Sequence, residues 1–122
     1  MAKIGLEIHG YLLTKEKLFC KCKAIHGLKY SKPNINICPI CTGMPGAKPL
    51  LPNSEAIKKI IQIALILGCK INNKLVWQRK HYDWPDLPKG FQNTISGTYA
   101  IPVGINGKFE KIRIREVHLE ED

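Results

Sequence analysis

Four of the five cysteines fall within "CKCKAIHGLKYSKPNINICPIC", as a C-x-C pair (Cys20, Cys22) and a C-x-x-C pair (Cys38, Cys41). A structural zinc takes four deprotonated ligands, often thiolates, in a tetrahedron. Two cysteines separated by two residues chelate from one tight turn. In "CPICTG", Pro39 shapes such a turn, and Gly43 lets the backbone come close to the sulfurs. The spacing therefore predicts one zinc held by Cys20, Cys22, Cys38 and Cys41, with no open coordination position and so a structural role. His26 is a spare imidazole that could stand in for one thiolate. A redox role fits poorly, because Gly43 and Pro45 follow the C-x-x-C where a helix should open. Cys69 stands apart and reads as a small buried apolar group.

A second constellation is made of carboxylates and imidazoles. Glu7 and His9 stand two residues apart, and His118 precedes Glu120, Glu121 and Asp122. Carboxylate oxygens with an imidazole suit a divalent cation such as Mg2+ or Mn2+. A solvated acidic tip and a plain polar strand face explain the same residues. On a straight strand Glu120 and Glu121 face opposite ways. A third group is the basic and aromatic run "WQRKHYDWPDLPKGFQ". Its Arg and Lys suit phosphates, and Trp77, Tyr82, Trp84 and Phe91 could stack on a base. A half-buried strand leading into a loop broken by Pro85 and Pro88 is the plainer reading. No G-x-x-x-x-G-K-[ST] phosphate loop is present.

The elements that must carry these residues read as follows. "KIGLEIHGYLLT" alternates as a strand, with Glu7 and His9 on one face and Ile4, Leu6 and Ile8 on the other. The cysteine insert covers about residues 19–46. A helix is expected over about 54–67, capped by Asn53 or Ser54, striped by Ile57, Ile60, Ile61 and Ala64, and ended by Gly68 in the left-handed conformation. A strand is expected at the start of the basic run. A hairpin follows, turning at Asn106-Gly107, with Ile112 and Ile114 opposite Arg113 and Arg115. The fold class is α+β: a mixed, mainly antiparallel sheet, one long helix and a zinc insert.

The 122 residues make at most one ordinary domain. No secretion signal is evident at Met1, and "IIQIALILG" is too short for a membrane span. A cytoplasmic protein without membrane attachment is expected, where paired cysteines favour metal over disulfides. The net charge of +9 is uneven: residues 15–32 hold six lysines against Glu16, while the last seven residues hold four acids. That excess suits nucleic acid through phosphate contacts, and equally a lysine-rich soluble surface. The strand-like run to Asp122 meets no turn, so the chain reads as a truncated piece.

"IGLEIH", "KLFCKC", "NICPICTGMPGAKP", "RKHYDWPDLPKGFQ" and "VHLEED" occur in this order from Ile4 to Asp122. Together they resemble the B-type family of aspartyl/glutamyl-tRNA(Asn/Gln) amidotransferase subunits; the archaeal E-type subunit shares the early motifs. The resemblance implies the N-terminal part of a catalytic cradle. It implies ATP- and Mg2+-dependent phosphorylation of the side-chain carboxylate of Glu on tRNA(Gln) or Asp on tRNA(Asn). Ammonia from a partner amidase (A-type) subunit then gives the amide, with a small C-type subunit completing the complex. It carries Mg2+ ligands onto Glu7, His9, Glu120 and Glu121, and nucleotide or tRNA 3′-end contacts onto Arg79, Lys80, Tyr82 and Lys89. The four cysteines match the family's zinc insert, which many bacterial members lack. "IHGYLLT" and "RKHYDWPD" depart from the commoner "IHVQLNT" and "RKNYFYPD". The family's subunit is several times longer, so this stretch is expected to be inactive alone. The alternative is a small zinc-ribbon module that binds nucleic acid without catalysis.

Overall fold

A computed structural model describes residues 1–26, 31–83, 87 and 89–121. Trp84, Pro85, Pro88 and Asp122 lie outside these residues. The elements are α1 (Ser54–Ile66), β1 (Lys70–Ile71), β2 (Gln78–His81), β3 (Phe91–Thr94), β4 (Gly104–Phe109) and β5 (Ile112–Val117). β1, β4 and β5 form one sheet in that order, and β2 and β3 form a second. Every described strand pair is antiparallel. A Thr94–Glu120 bridge joins the two sheets, with Ile95 N–H donating to Leu119 O and Glu121 N–H to Asn93 O. The chain after β5 therefore runs along β3, which sets the direction of every side chain from Glu116 to Glu121.

The helix starts where Asn53 can satisfy orphan amides. Its Oδ1 accepts from Glu55 N–H at 2.9 Å and Ala56 N–H at 3.4 Å. Its Nδ2 donates to Glu16 O at 3.0 Å, and its own N–H donates to Leu18 O at 2.8 Å, so the cap is also stitched to the cysteine insert. Glu55 and Lys59 pair at 3.0 Å across one turn. Gly68, at φ +66°, ends the helix as expected. Ala56, Ile60 and Ala64 are the buried stripe, with Ile57 and Ile61 half-buried beside them. The core adds Cys69, Ile95, Val103, Val117 and Leu119. Ile95 and Val103 are wholly buried, each worth about 1.5–3 kcal/mol.

Two expectations need correction. The hairpin exists, but β4 runs through Asn106-Gly107, and the chain turns at Glu110-Lys111. Gly107 is glycine for a packing reason: a Cβ there would sit 2.5 Å from Leu67 O and collide with Cys69 Sγ. Gly104 is constrained alike, since its Cβ would lie 2.8 Å from Cys69 Cβ and 3.0 Å from Ala64 Cβ. The turn signal was a seat for the end of α1. The strand expected over residues 3–14 is not formed among the described residues either. Ile4, Leu6 and Ile8 are almost fully exposed. A strand needs a neighbour for its N–H and C=O groups, and none of β1 to β5 is paired with this stretch. Its packing on the core begins at Leu12, and Lys59 Nζ donates to Leu13 O.

Candidate functional site

The cysteine insert is two turns facing each other. Lys17 N–H donates to Cys22 O and Ala24 N–H to Lys15 O, each at 3.0 Å, with a Glu16–Lys23 bridge between them. This narrow ribbon carries Cys20 and Cys22 at its tip. Opposite it, Thr42 N–H donates to Cys38 O at 3.1 Å and Met44 N–H to Pro39 O at 2.9 Å, closing the turn that carries Cys38 and Cys41. Cys38 N–H points at Cys41 Sγ from 3.2 Å, and Lys17 Nζ lies 3.5 Å from the same sulfur and 2.8 Å from Asn36 O.

The four sulfurs all lie within 4.8 Å of one another. A tetrahedron of Zn–S bonds near 2.3 Å needs sulfurs about 3.8 Å apart, so this donor set fits zinc in number, chemistry and spacing. Electrostatics divide the set. Burial pushes the Cys20 thiol up to about 12, and desolvation also raises Cys22. The Cys41 N–H, with that of Ile40, holds the Cys38 thiol down near about 7. Thiolate character is thus greater at Cys38 than at the buried Cys20, whose proton a bound cation would displace. His26 takes no part, since its Nε2 lies 2.9 Å from Thr14 O. Phe19, next to Cys20, packs edge-on against Trp77 at 4.9 Å and 75°. Trp77 therefore anchors the insert to the core and is not a free stacking platform.

The β3 segment and the chain from Glu116 to Glu121 present two faces. On one, Glu116, His118 and Glu120 follow at period two, beside Thr94 and Ser96 on β3 and just beyond it. His9 Nδ1 lies 3.3 Å from Glu120 Oε1, and His9 Nε2 lies 3.8 Å from Glu7 Oε2. The structure thus brings Glu7, His9 and Glu120 together from the two ends of the chain. They form a file rather than a cage: among the described residues, only the four cysteines gather one ligand atom each within 4.8 Å. Glu121 faces the other way, as a straight strand requires. It is buried, 2.9 Å from Lys89 Nζ and 2.8 Å from Asn93 Nδ2.

That second face holds the cations. Antiparallel register sets Arg79 across from Asn93 and His81 across from Phe91. The Arg79 guanidinium stacks 3.8 Å over the Phe91 ring, and Lys89 Nζ lies 5.1 Å from it. A cleft of about 100 Å³ opens between Arg79, Phe91, Asn93, Glu121 and the Gly43–Ala47 turn. Gly43, at φ +69°, lets the zinc-binding turn approach. A Cβ there would stand 3.0 Å from both Lys89 Cβ and Phe91 Cε1. Lys80, the neighbour of Arg79 on β2, falls on the opposite face, and the Tyr82 N–H donates to Gly90 O. Sequence reasoning passed over Glu116, Ser96, Thr94 and Asn93. The E-x-H-x-E spacing at 116–120 was the available signal for the first.

Residues 2–122 match the family model described as the GatB/GatE catalytic domain. The chain is similar to the B subunit of the aspartyl/glutamyl-tRNA(Asn/Gln) amidotransferase of Methanocaldococcus jannaschii, with 51% identity over 98% of this chain and 24% of that protein. It is likewise similar to the proteins of that name from Methanopyrus kandleri, at 49%, and Methanothermobacter thermautotrophicus, at 50%, again over 98% of this chain and 25% of each relative. The chain spans about a quarter of the length of these curated relatives. Among the described residues, no helix is long and apolar enough to cross a membrane. From motif order, zinc-type insert and this continuous match, the chain belongs to the GatB/GatE catalytic-domain family.

Proposed function

We propose that this chain is the N-terminal part of the catalytic cradle of a B-type subunit in a cytoplasmic tRNA-dependent amidotransferase. The observation that carries this reading is the match of residues 2–122 to the GatB/GatE catalytic domain. The contact of His9 with Glu120 is its geometric counterpart. A side-chain carboxylate is a poor electrophile. In the reaction proposed here, one of its oxygens attacks the γ-phosphorus of ATP and the bond to ADP breaks, leaving an acyl phosphate. The nitrogen of ammonia then attacks the acyl carbon, inorganic phosphate departs with the bonding pair, and the ammonium nitrogen loses a proton. The substrate is Glu esterified to tRNA(Gln), Asp esterified to tRNA(Asn), or both. An A-type amidase subunit supplies ammonia, and a C-type subunit joins the complex.

Glu7, His9 and Glu120 are the side chains proposed to hold Mg2+, an oxygen-rich set with one imidazole. Mg2+ clamps phosphate oxygens and offsets their charge when bound. Glu121, proposed from the sequence as a fourth ligand, is assigned instead to holding Lys89. Arg79 and Lys89, braced on Phe91, are proposed with Lys80 and Tyr82 to meet the nucleotide or the tRNA 3′ end. Zinc on the four cysteines shapes the insert.

The test is ATP-dependent amidation by the full-length subunit assembled with its partners. Glu7→Ala, His9→Ala and Glu120→Ala should each lower kcat by about a hundredfold or more, with unchanged thermal unfolding. Retained activity in all three removes the site. Salt-dependent RNA binding with no response to ATP or Mg2+ would favour the zinc-ribbon alternative.

A further inference from the structure

Five side chains stand in one row, alternately carboxylate and imidazole. Glu116 Oε1 lies 3.3 Å from His118 Nδ1, and His118 Nε2 lies 3.3 Å from Glu120 Oε2. Glu120 Oε1 lies 3.3 Å from His9 Nδ1, whose Nε2 faces Glu7. Each ring is approached through both nitrogens. The donors are therefore strung along a line and do not converge, which argues against His118 and Glu116 closing a cation cage. A row of this kind fixes orientation: each group limits the rotation of the next.

The row is held from one end. Ser96 Oγ donates to Glu116 Oε1, and Thr94 Oγ1 donates to Glu120 Oε2 at 3.4 Å. Side-chain exposure is 28% at Glu116 and His118 and 18% at Glu120, against 67% at His9 and 89% at Glu7. The ordered end is thus β5 and its continuation, where period two places residues 116, 118 and 120 on one face. The exposed end is the irregular N-terminal stretch.

We propose that His118 is a positioning residue. Glu116 and Ser96 fix its ring through Nδ1, and through Nε2 it holds one oxygen of Glu120, turning the other toward His9. His118 touches no reacting atom in this arrangement; it sets the angle at which Glu120 meets the site. The inference rests on the reading of Glu120 given under the proposed function.

Two isosteres separate the ring's nitrogens. Gln at 118 reproduces a donor at the Nε2 position, toward Glu120. Asn reproduces one at the Nδ1 position, toward Glu116. In the full-length protein with its partners, His118→Asn should lower kcat by about 10–100-fold, while His118→Gln stays within about threefold of the parent. Mn2+ alone, followed by the electron paramagnetic resonance signal of the free ion, should bind His118→Asn about tenfold more weakly and His118→Gln nearly as the parent does. Glu120→Ala, run alongside, reports on the site itself. If Glu120→Ala loses activity and the Gln variant is rescued relative to Asn, the proposal stands. If Glu120→Ala loses activity and the two isosteres behave alike, His118 is not a positioning group and the site reading survives. If Glu120→Ala is fully active, the site reading and this inference fall together.

Discussion

The sulfurs of Cys38 and Cys20 differ in charge preference although they face one site. Backbone N–H groups draw the Cys38 thiol down near about 7, and burial drives Cys20 up to about 12. The signs are opposite. For Cys38, lowered in the fold, any stabilisation is present above the ordinary thiol range and is lost as pH falls through about 7. For Cys20, raised in the fold, it is present below that range and is lost as pH rises toward about 12. Zinc needs all four as thiolates, so protons compete with it most effectively on the acid side. Zinc retained against a fixed chelator should therefore fall steeply once pH drops below about 7. Zinc retained at no pH would exclude this metal centre, and zinc held undiminished from neutral to mildly acid pH would mean that Cys38 does not set its acid limit. At this scale the sequence was most informative where chelation is local. The C-x-x-C turn and the opposed directions of Glu120 and Glu121 follow from spacing alone. The pairing of His9 with Glu120, and of Lys89 with Glu121, depends on how distant segments meet, and no local pattern encodes that.

Between α1 and β4 the contact is close because the strand carries glycines where the helix end and Cys69 press on it. Gly107→Ala should lower stability by about 1–3 kcal/mol or more, as overpacking does. Asn53→Ala removes two capping acceptances and the bond to Glu16, and should cost about 1 kcal/mol. Thermal or urea unfolding of each variant checks both figures; a neutral Gly107→Ala would mean that this contact is looser than described. The helix was legible because its cap, stripe and terminating glycine are all local signals. The hairpin was legible in kind and misplaced in position, since Asn-Gly is read as a turn unless a neighbour is known to need the space. β3 escaped notice because its four residues, Phe91–Thr94, carry no apolar alternation that marks a strand. The N-terminal strand shows the converse: clear alternation without a partner does not make a ladder.

Among the described residues, the insert meets the rest of the fold through Phe19 on Trp77, Leu18 on the core, Glu16 and Leu18 on Asn53 at the head of α1, and Gly43 beside Lys89 and Phe91. Stripping zinc should raise amide hydrogen exchange across residues 15–24 and 36–47, as measured by mass spectrometry, and leave α1, β4 and β5 protected. Equal loss everywhere would mean that the metal supports the entire fold. The α+β class, the helix and the four-cysteine cluster were readable in advance. The way the two small sheets are joined was not, because it depends on the long-range bridge of Thr94 to Glu120. The approach of Gly43 to Lys89 and Phe91 carries a thermodynamic consequence. If zinc sets where that turn sits, then zinc and any anion seated by Arg79 in the cleft are heterotropic ligands of one another. Reciprocity then requires each to tighten or loosen the other by the same factor, so a centre with no chemistry of its own would still register what the opposite wall of the cleft is holding.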